Sequence, residues 1–127
     1  MELVVIVVVV ALLEYIYLSL QVGQGRGKYE VPAPAISGHP VFERLYRVQM
    51  NTLEQLIIFL PAIWLFATYV SEGIAALLGI VFIVGRFVYF KGYVEDPEKR
   101  TMGFLLTFGA NAILLLGALI GAALALL

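Results

Sequence analysis

Seven polar residues recur at helical spacing inside stretches otherwise apolar enough to lie in lipid. In ERLYRVQMNTLEQ, residues 43–55, Arg44, Arg47, Asn51 and Glu54 stand at i, i+3, i+7 and i+10. At about 100° per residue they fall within an arc of about 80°, one stripe roughly 15 Å long on a helix. In GRFVYFKGY, residues 85–93, Arg86, Tyr89 and Tyr93 stand at i, i+3 and i+7, again on one face, and Arg100 follows seven residues later. Guanidinium groups grip carboxylates bidentately, and a glutamate matches an ammonium group. The set therefore suits a small, net anionic, zwitterionic ligand of peptide-like chemistry. A nucleotide fits less well, because GQGRG at 23–27 lacks the Lys-Ser/Thr sequel of a phosphate-binding loop.

A structural reading competes with this one. Arg44 and Arg47 could snorkel to headgroups, Glu43 or Glu54 could pair with them along the helix, and Tyr89 and Tyr93 could be interfacial belt residues. Asn51 and Glu54 lie deeper, one to three turns into the span. A charge at mid-helix costs ~2.5–3.5 kcal/mol on insertion scales, so such residues face a partner or a wet cavity. Spacing alone leaves both readings open.

The elements that must position these residues are membrane spans. The 127 residues are 62% apolar and 13% charged, against about 45–50% and about 25% for an average globular domain. Four stretches reach the ~20 apolar residues that a span needs: about 3–21, 45–70, 74–93 and 102–125. Residues 22–42, rich in Gly and Pro, read as a loop, Ser71-Glu72-Gly73 as a tight turn, and VEDPEKR at 94–100 as a polar connector. The expectation is one all-α membrane domain over residues 1–127, a four-transmembrane-helix up-down bundle. The first stretch lacks the basic n-region of a signal peptide and carries Glu2, so it reads as a retained helix. All eight basic residues lie at the first connector (Arg26, Lys28, Arg44, Arg47) or the third (Arg86, Lys91, Lys99, Arg100). The positive-inside rule then puts both polar connectors on the cytoplasmic side and both termini opposite.

No cysteine is present, and the single His39 makes a metal site unpromising. A net charge of −1 gives no sign of nucleic acid binding. Glu14 reads as structural, paired with a polar neighbour or, in the trimer that the resemblance described next implies, facing its axis. Pro61 should bend the second helix near Ile57. Gly117 and Gly121 suit close helix packing, Asn111 an interhelical hydrogen bond, and Trp64 contact with lipid or another helix.

On these motifs the sequence resembles the MAPEG family, the membrane-associated proteins of eicosanoid and glutathione metabolism. The carrying segments are SLQV at 19–22, FERLYRVQMNTLEQ at 42–55, GRFVYFKGY at 85–93, and Arg100. The resemblance implies a homotrimer of four-helix subunits in membrane lipid, with glutathione as co-substrate bound between neighbours near the cytoplasmic side. It implies that Arg47, Asn51, Glu54, Arg86, Tyr89 and Tyr93 contact glutathione, with Arg26 added from a neighbouring loop. Arg100 falls where the family places the arginine that stabilises the thiolate. Gln55, Lys91 and Gly27 depart from one branch of the family, which has tyrosine, glutamine and a second arginine there. The implied activity is transfer of glutathione to a lipophilic electrophile, or reduction of a lipid hydroperoxide. A non-catalytic lipid-binding protein of the same fold is the alternative. A transporter would need polar residues through LFATYV and AALLGIVFIV, which are apolar.

Overall fold

The computed structural model describes residues 1–127 as four long helices: α1 (Glu2–Lys28), α2 (Pro40–Tyr69), α3 (Glu72–Glu95) and α4 (Thr101–Leu126), with a 3-10 turn at Pro97–Arg100 before α4. All four are long and apolar enough to cross a membrane. Cross-helix contacts fix their directions. Arg44 reaches the carbonyl of Val94 and Thr52 meets Arg86, so eight residues forward in α2 run eight back in α3. Arg86 meets Thr107 and Tyr89 lies against Gly103, so α4 opposes α3. Gln55 meets Asn111 and Phe66 fills the space at Gly117, so α4 runs parallel to α2. Gln49 of α2 bonds Ser19 of α1. The result is an up-down-up-down bundle with α1 and α4 each packed on both α2 and α3.

Local chemistry explains most boundaries and corrects several expectations. Residues 22–28, read as loop, are the last two turns of α1. Val22 and Gly25 are buried, and Gly25 leaves room for Leu45 and Phe42 of α2, so packing overrides the glycine-rich composition. Arg26 and Lys28 in the last turn complement the helix dipole. α2 begins at Pro40, earlier than the expected 45. Proline suits the first helical position, and His39 caps the helix by accepting the Val41 amide at Nδ1, 3.1 Å. Glu72 and Gly73 belong to α3, whose cap is Ser71, accepting from the Ile74 amide at 3.2 Å. The turn between α2 and α3 thus shrinks to Val70 and Ser71. α2 continues as helix through Pro61.

Only 31 of the 127 residues are buried, and large apolar side chains such as Ile6, Leu13, Ile57, Leu77 and Leu116 point outward. Inside, the apolar side chains form two clusters. One holds Val4, Val7, Phe59, Ile63, Phe82 and Leu114, and the other Leu18, Phe42, Val48 and Phe90. Between them lies a polar layer to which every helix contributes: Glu14 from α1, Asn51 and Thr52 from α2, Arg86 from α3 and Thr107 from α4.

Candidate functional site

Arg86 organises the polar layer. It is 0% exposed. Its Nε donates to Thr107 Oγ1 at 3.0 Å, and its Nη1 to Asn51 Oδ1 at 2.7 Å and Thr52 Oγ1 at 3.3 Å. Both threonines donate in turn to the carbonyls four residues earlier, Val48 and Gly103. The guanidinium carbon lies 4.4 Å from the centroid of the Tyr89 ring, a cation–π contact strengthened by the absence of water. Only Nη2 lacks a partner, and so does Oε1 of half-buried Glu14. Close approach of α3 and α4 makes this geometry possible. A Cβ at Gly85 would meet the Thr107 amide nitrogen at 3.0 Å, and one at Gly103 would strike the Tyr89 backbone.

The outer side of the layer carries the exposed stripe. Arg47 Nη2 and Glu54 Oε1 pair at 3.4 Å with 50% and 54% of their side chains exposed. Glu54 is fourteen residues into α2, about 21 Å along its axis. Asn51 stands between them, its orientation held by Arg86. Tyr89 is buried and stacks on Tyr93, centroids 5.5 Å apart. Arg86 is in direct contact with the Tyr89 ring, and Arg47 and Arg100 lie near enough for their charges to be felt there. Arg100 is exposed, donates only to the Pro97 carbonyl at 2.7 Å, and has no carboxylate partner.

The structure thus brings Arg47, Asn51, Glu54, Arg86, Tyr89, Tyr93 and Arg100 to one side of the bundle. It separates Arg26 from them. That side chain, on α1 rather than in a loop, donates to the carbonyls of Val31 and Ala35 and lies over Phe42, tying down the α1–α2 connection. Arg44 leaves the stripe as well. Its Nη1 donates to the carbonyls of Val94 and Glu95 and caps the end of α3. Lys91 sits over Phe87 and Phe90, about 140° around α3 from Arg86. Sequence reasoning missed Thr52 and Thr107. Their signal was a hydroxyl inside an apolar run within reach of a buried arginine, which requires knowing the helix pairing.

A model of the MAPEG family matches residues 4–120. Among curated relatives, the uncharacterized protein sll1147 of Synechocystis is 51% identical over 92 residues, 72% of this chain and 67% of that one. Microsomal glutathione S-transferase 2 of Homo sapiens is 46% identical over 92 residues, 72% of this chain and 63% of its own. Leukotriene C4 synthase of Bos taurus is 39% identical over 72 residues, 57% of this chain and 48% of its own. The matched region therefore spans between about half and two thirds of these relatives' length. The family match takes in all four spans and every residue of the polar stripe, so the chain belongs to the MAPEG family and is an integral, multi-pass membrane protein.

Proposed function

We propose that this protein is a membrane glutathione transferase that joins the glutathione sulfur to lipophilic electrophiles. The observation that carries the reading is the exposed Arg47–Glu54 pair beside an Arg100 with no carboxylate partner. An exposed ion pair contributes at most ~1 kcal/mol in water, and deep on an apolar helix its charges are useful only when a ligand or another subunit covers them. The γ-glutamyl end of glutathione carries a carboxylate that suits Arg47 beside an ammonium that suits Glu54. Asn51 and Tyr93 supply neutral hydrogen bonds, and Arg86 acts on the ligand by holding Asn51. Relatives named as glutathione S-transferase and leukotriene C4 synthase support this choice of thiol. We place the site at the cytoplasmic end of a homotrimer, where Arg26 of one copy reaches toward the stripe of the next.

Arg100 would stabilise the thiolate. A free thiol of pKa ~8.5 is only ~3% ionised at pH 7. Lowering that by ~2 units raises the thiolate fraction roughly 25-fold, while intrinsic nucleophilicity falls about 10-fold at a Brønsted slope near 0.5. The net gain is a few-fold. Most of the acceleration therefore comes from holding an electrophile concentrated in the bilayer against the sulfur. In the reaction the S–C bond forms as the leaving group departs or the electron pair moves onto the electrophile. The test is conjugation of glutathione to a generic aryl halide by purified protein. Arg100→Ala should lose most turnover and keep glutathione binding; equal turnover in that variant overturns the assignment. Binding of lipid with no conjugation by the wild type would favour the non-catalytic alternative, against which the unpaired Arg100 stands.

A further inference from the structure

A pocket of about 220 Å³ opens where α1, α2 and α3 meet at the connector end of the bundle, on the opposite side of α1 from Ser19 and Arg26. Gln21, Gln24 and Lys28 line it from α1, at i, i+3 and i+7 and within an arc of about 60°. Tyr29, Phe90 and Val94 form much of the rest, and no carboxylate lines it. No hydrogen bond within the chain engages the side chains of Gln21, Gln24 or Lys28, and Lys28 is in no ion pair. Its ammonium lies 5.4 Å from the centroid of the Tyr29 ring, a contact that leaves its donors free. Two further cations flank the walls: Arg44 is bonded to the Val94 carbonyl, and Lys91 lies 5.3 Å from the centroid of Phe90. Of the carboxylates at this end, Glu95 is taken by Lys99 and Glu43 by the Gly38 amide. Snorkelling would account for Lys28 alone. Two unengaged glutamines aligned with it over a concave surface call for an acceptor.

We propose that this pocket seats the phosphate of an anionic phospholipid. A phosphodiester offers charged acceptors, which match an ammonium and amide donors. The volume is below the ~300–1,000 Å³ of sites that enclose a drug-sized molecule, so it suits one end of a ligand whose remainder lies outside. What lies outside is apolar. Tyr17 and Phe87 are both exposed and both stand edge-on to Phe90, centroids 6.0 and 6.3 Å away, and they continue the wall one turn deeper into the span. An acyl chain follows them while the headgroup stays at the interface. On the orientation that the basic connectors favour, this end meets the cytoplasmic leaflet, where anionic lipid is concentrated and basic pockets between spans bind its headgroups. None of the stripe residues lines the pocket, and the proposal stands independently of the transferase reading.

The experiment titrates the full-length protein in neutral detergent with phosphatidylglycerol or phosphatidylcholine and counts bound lipid by native mass spectrometry. The anionic lipid should bind about 10-fold more tightly, since each nearby Lys or Arg contributes several-fold. Lys28→Gln should cut that preference about 5-fold. Lys99→Gln removes the same charge at the same end but outside the pocket, and should leave the preference within about two-fold. Replacing both glutamines, Gln21→Leu with Gln24→Leu, should weaken the two lipids alike by roughly 5-fold, because both carry a phosphate. Equal losses in Lys28→Gln and Lys99→Gln would overturn the proposal by showing a diffuse field, and so would unchanged affinity in the glutamine double variant. Displacement of phosphatidylglycerol by equimolar soluble glycerol phosphate would overturn it too, marking a site for a free phosphate compound. So would a wild type that retains no lipid, as for a pocket covered by another copy of the chain.

Discussion

Replacing Arg86 with methionine tests the polar layer and its link to ligand binding together. The side chain is fully enclosed and makes bonds of 2.7, 3.0 and 3.3 Å to Asn51, Thr107 and Thr52. Hydrogen bonds within membrane bundles average ~0.6 kcal/mol and reach ~1.7. The two shorter bonds have a charged donor and good length, so about 1 kcal/mol each is reasonable, with little for the third. The threonines keep their bonds to Val48 and Gly103, but Asn51 Oδ1 loses its buried donor, a further cost of about 1 kcal/mol. Removing a guanidinium that carries an unpartnered Nη2 returns part of this. The net loss should be about 2 kcal/mol, read from denaturant titration in detergent. Glutathione affinity should fall as well, because Asn51 becomes free to rotate. If Arg86 acts through Asn51, then Arg86→Met costs little further affinity in an Asn51→Ala background. Stability within about 0.5 kcal/mol of wild type would refute the structural layer, and additive affinity losses by calorimetry would refute action through Asn51.

Three other outcomes follow from the same geometry. Gly103→Ala would drive a methyl into the Tyr89 backbone; the helices must part, costing roughly 1–3 kcal/mol, and spectroscopy of the Tyr89–Tyr93 stack should report the displacement. Arg44→Ala removes the cap on Val94 and Glu95, so amide exchange over residues 94–99 should speed up by roughly 5- to 10-fold while the rest of α3 is unchanged. If neighbouring copies share a site, co-expressing Arg47→Ala and Arg26→Ala chains should restore roughly one glutathione site in four in a randomly mixed cyclic trimer. A site built within one subunit would show no restoration in binding titrations.

How much could be read in advance differs by level. The four spans were visible because apolar runs of ~20 residues leave few alternatives. The stripe on α2 was visible because helical spacing fixes angles within one element. The end of α1 was not, since Gly23, Gly25 and Gly27 look like a break until Phe42 and Leu45 are seen packing into the gap at Gly25. Arg44 looked like part of the stripe, lying in the right arc. Its actual partners, the carbonyls of Val94 and Glu95, belong to another helix. Spacing reports direction from one axis only, and depth and pairing come from the neighbours.

That distinction also separates two kinds of arginine that the sequence presents alike. Arg86 and Arg47 both occupy polar faces of membrane helices, yet one is wholly enclosed and the other half exposed. The difference follows from what each neighbouring helix offers at that depth. Around Arg86 stand Asn51, Thr52 and Thr107, all neutral acceptors that cost little to bury and leave the charge nowhere to move. Around Arg47 the chain offers only Glu54, seven residues along the same helix and itself exposed. A charge with two of its three nitrogens engaged and no exposure can orient a neighbour and can barely bind a ligand. A charge held by one long, exposed contact can exchange it for a ligand carboxylate at small cost. On the glutathione reading proposed above, the rigid arginine and the available one divide the work: Arg86 holds Asn51, and Arg47 with Glu54 meets the ligand.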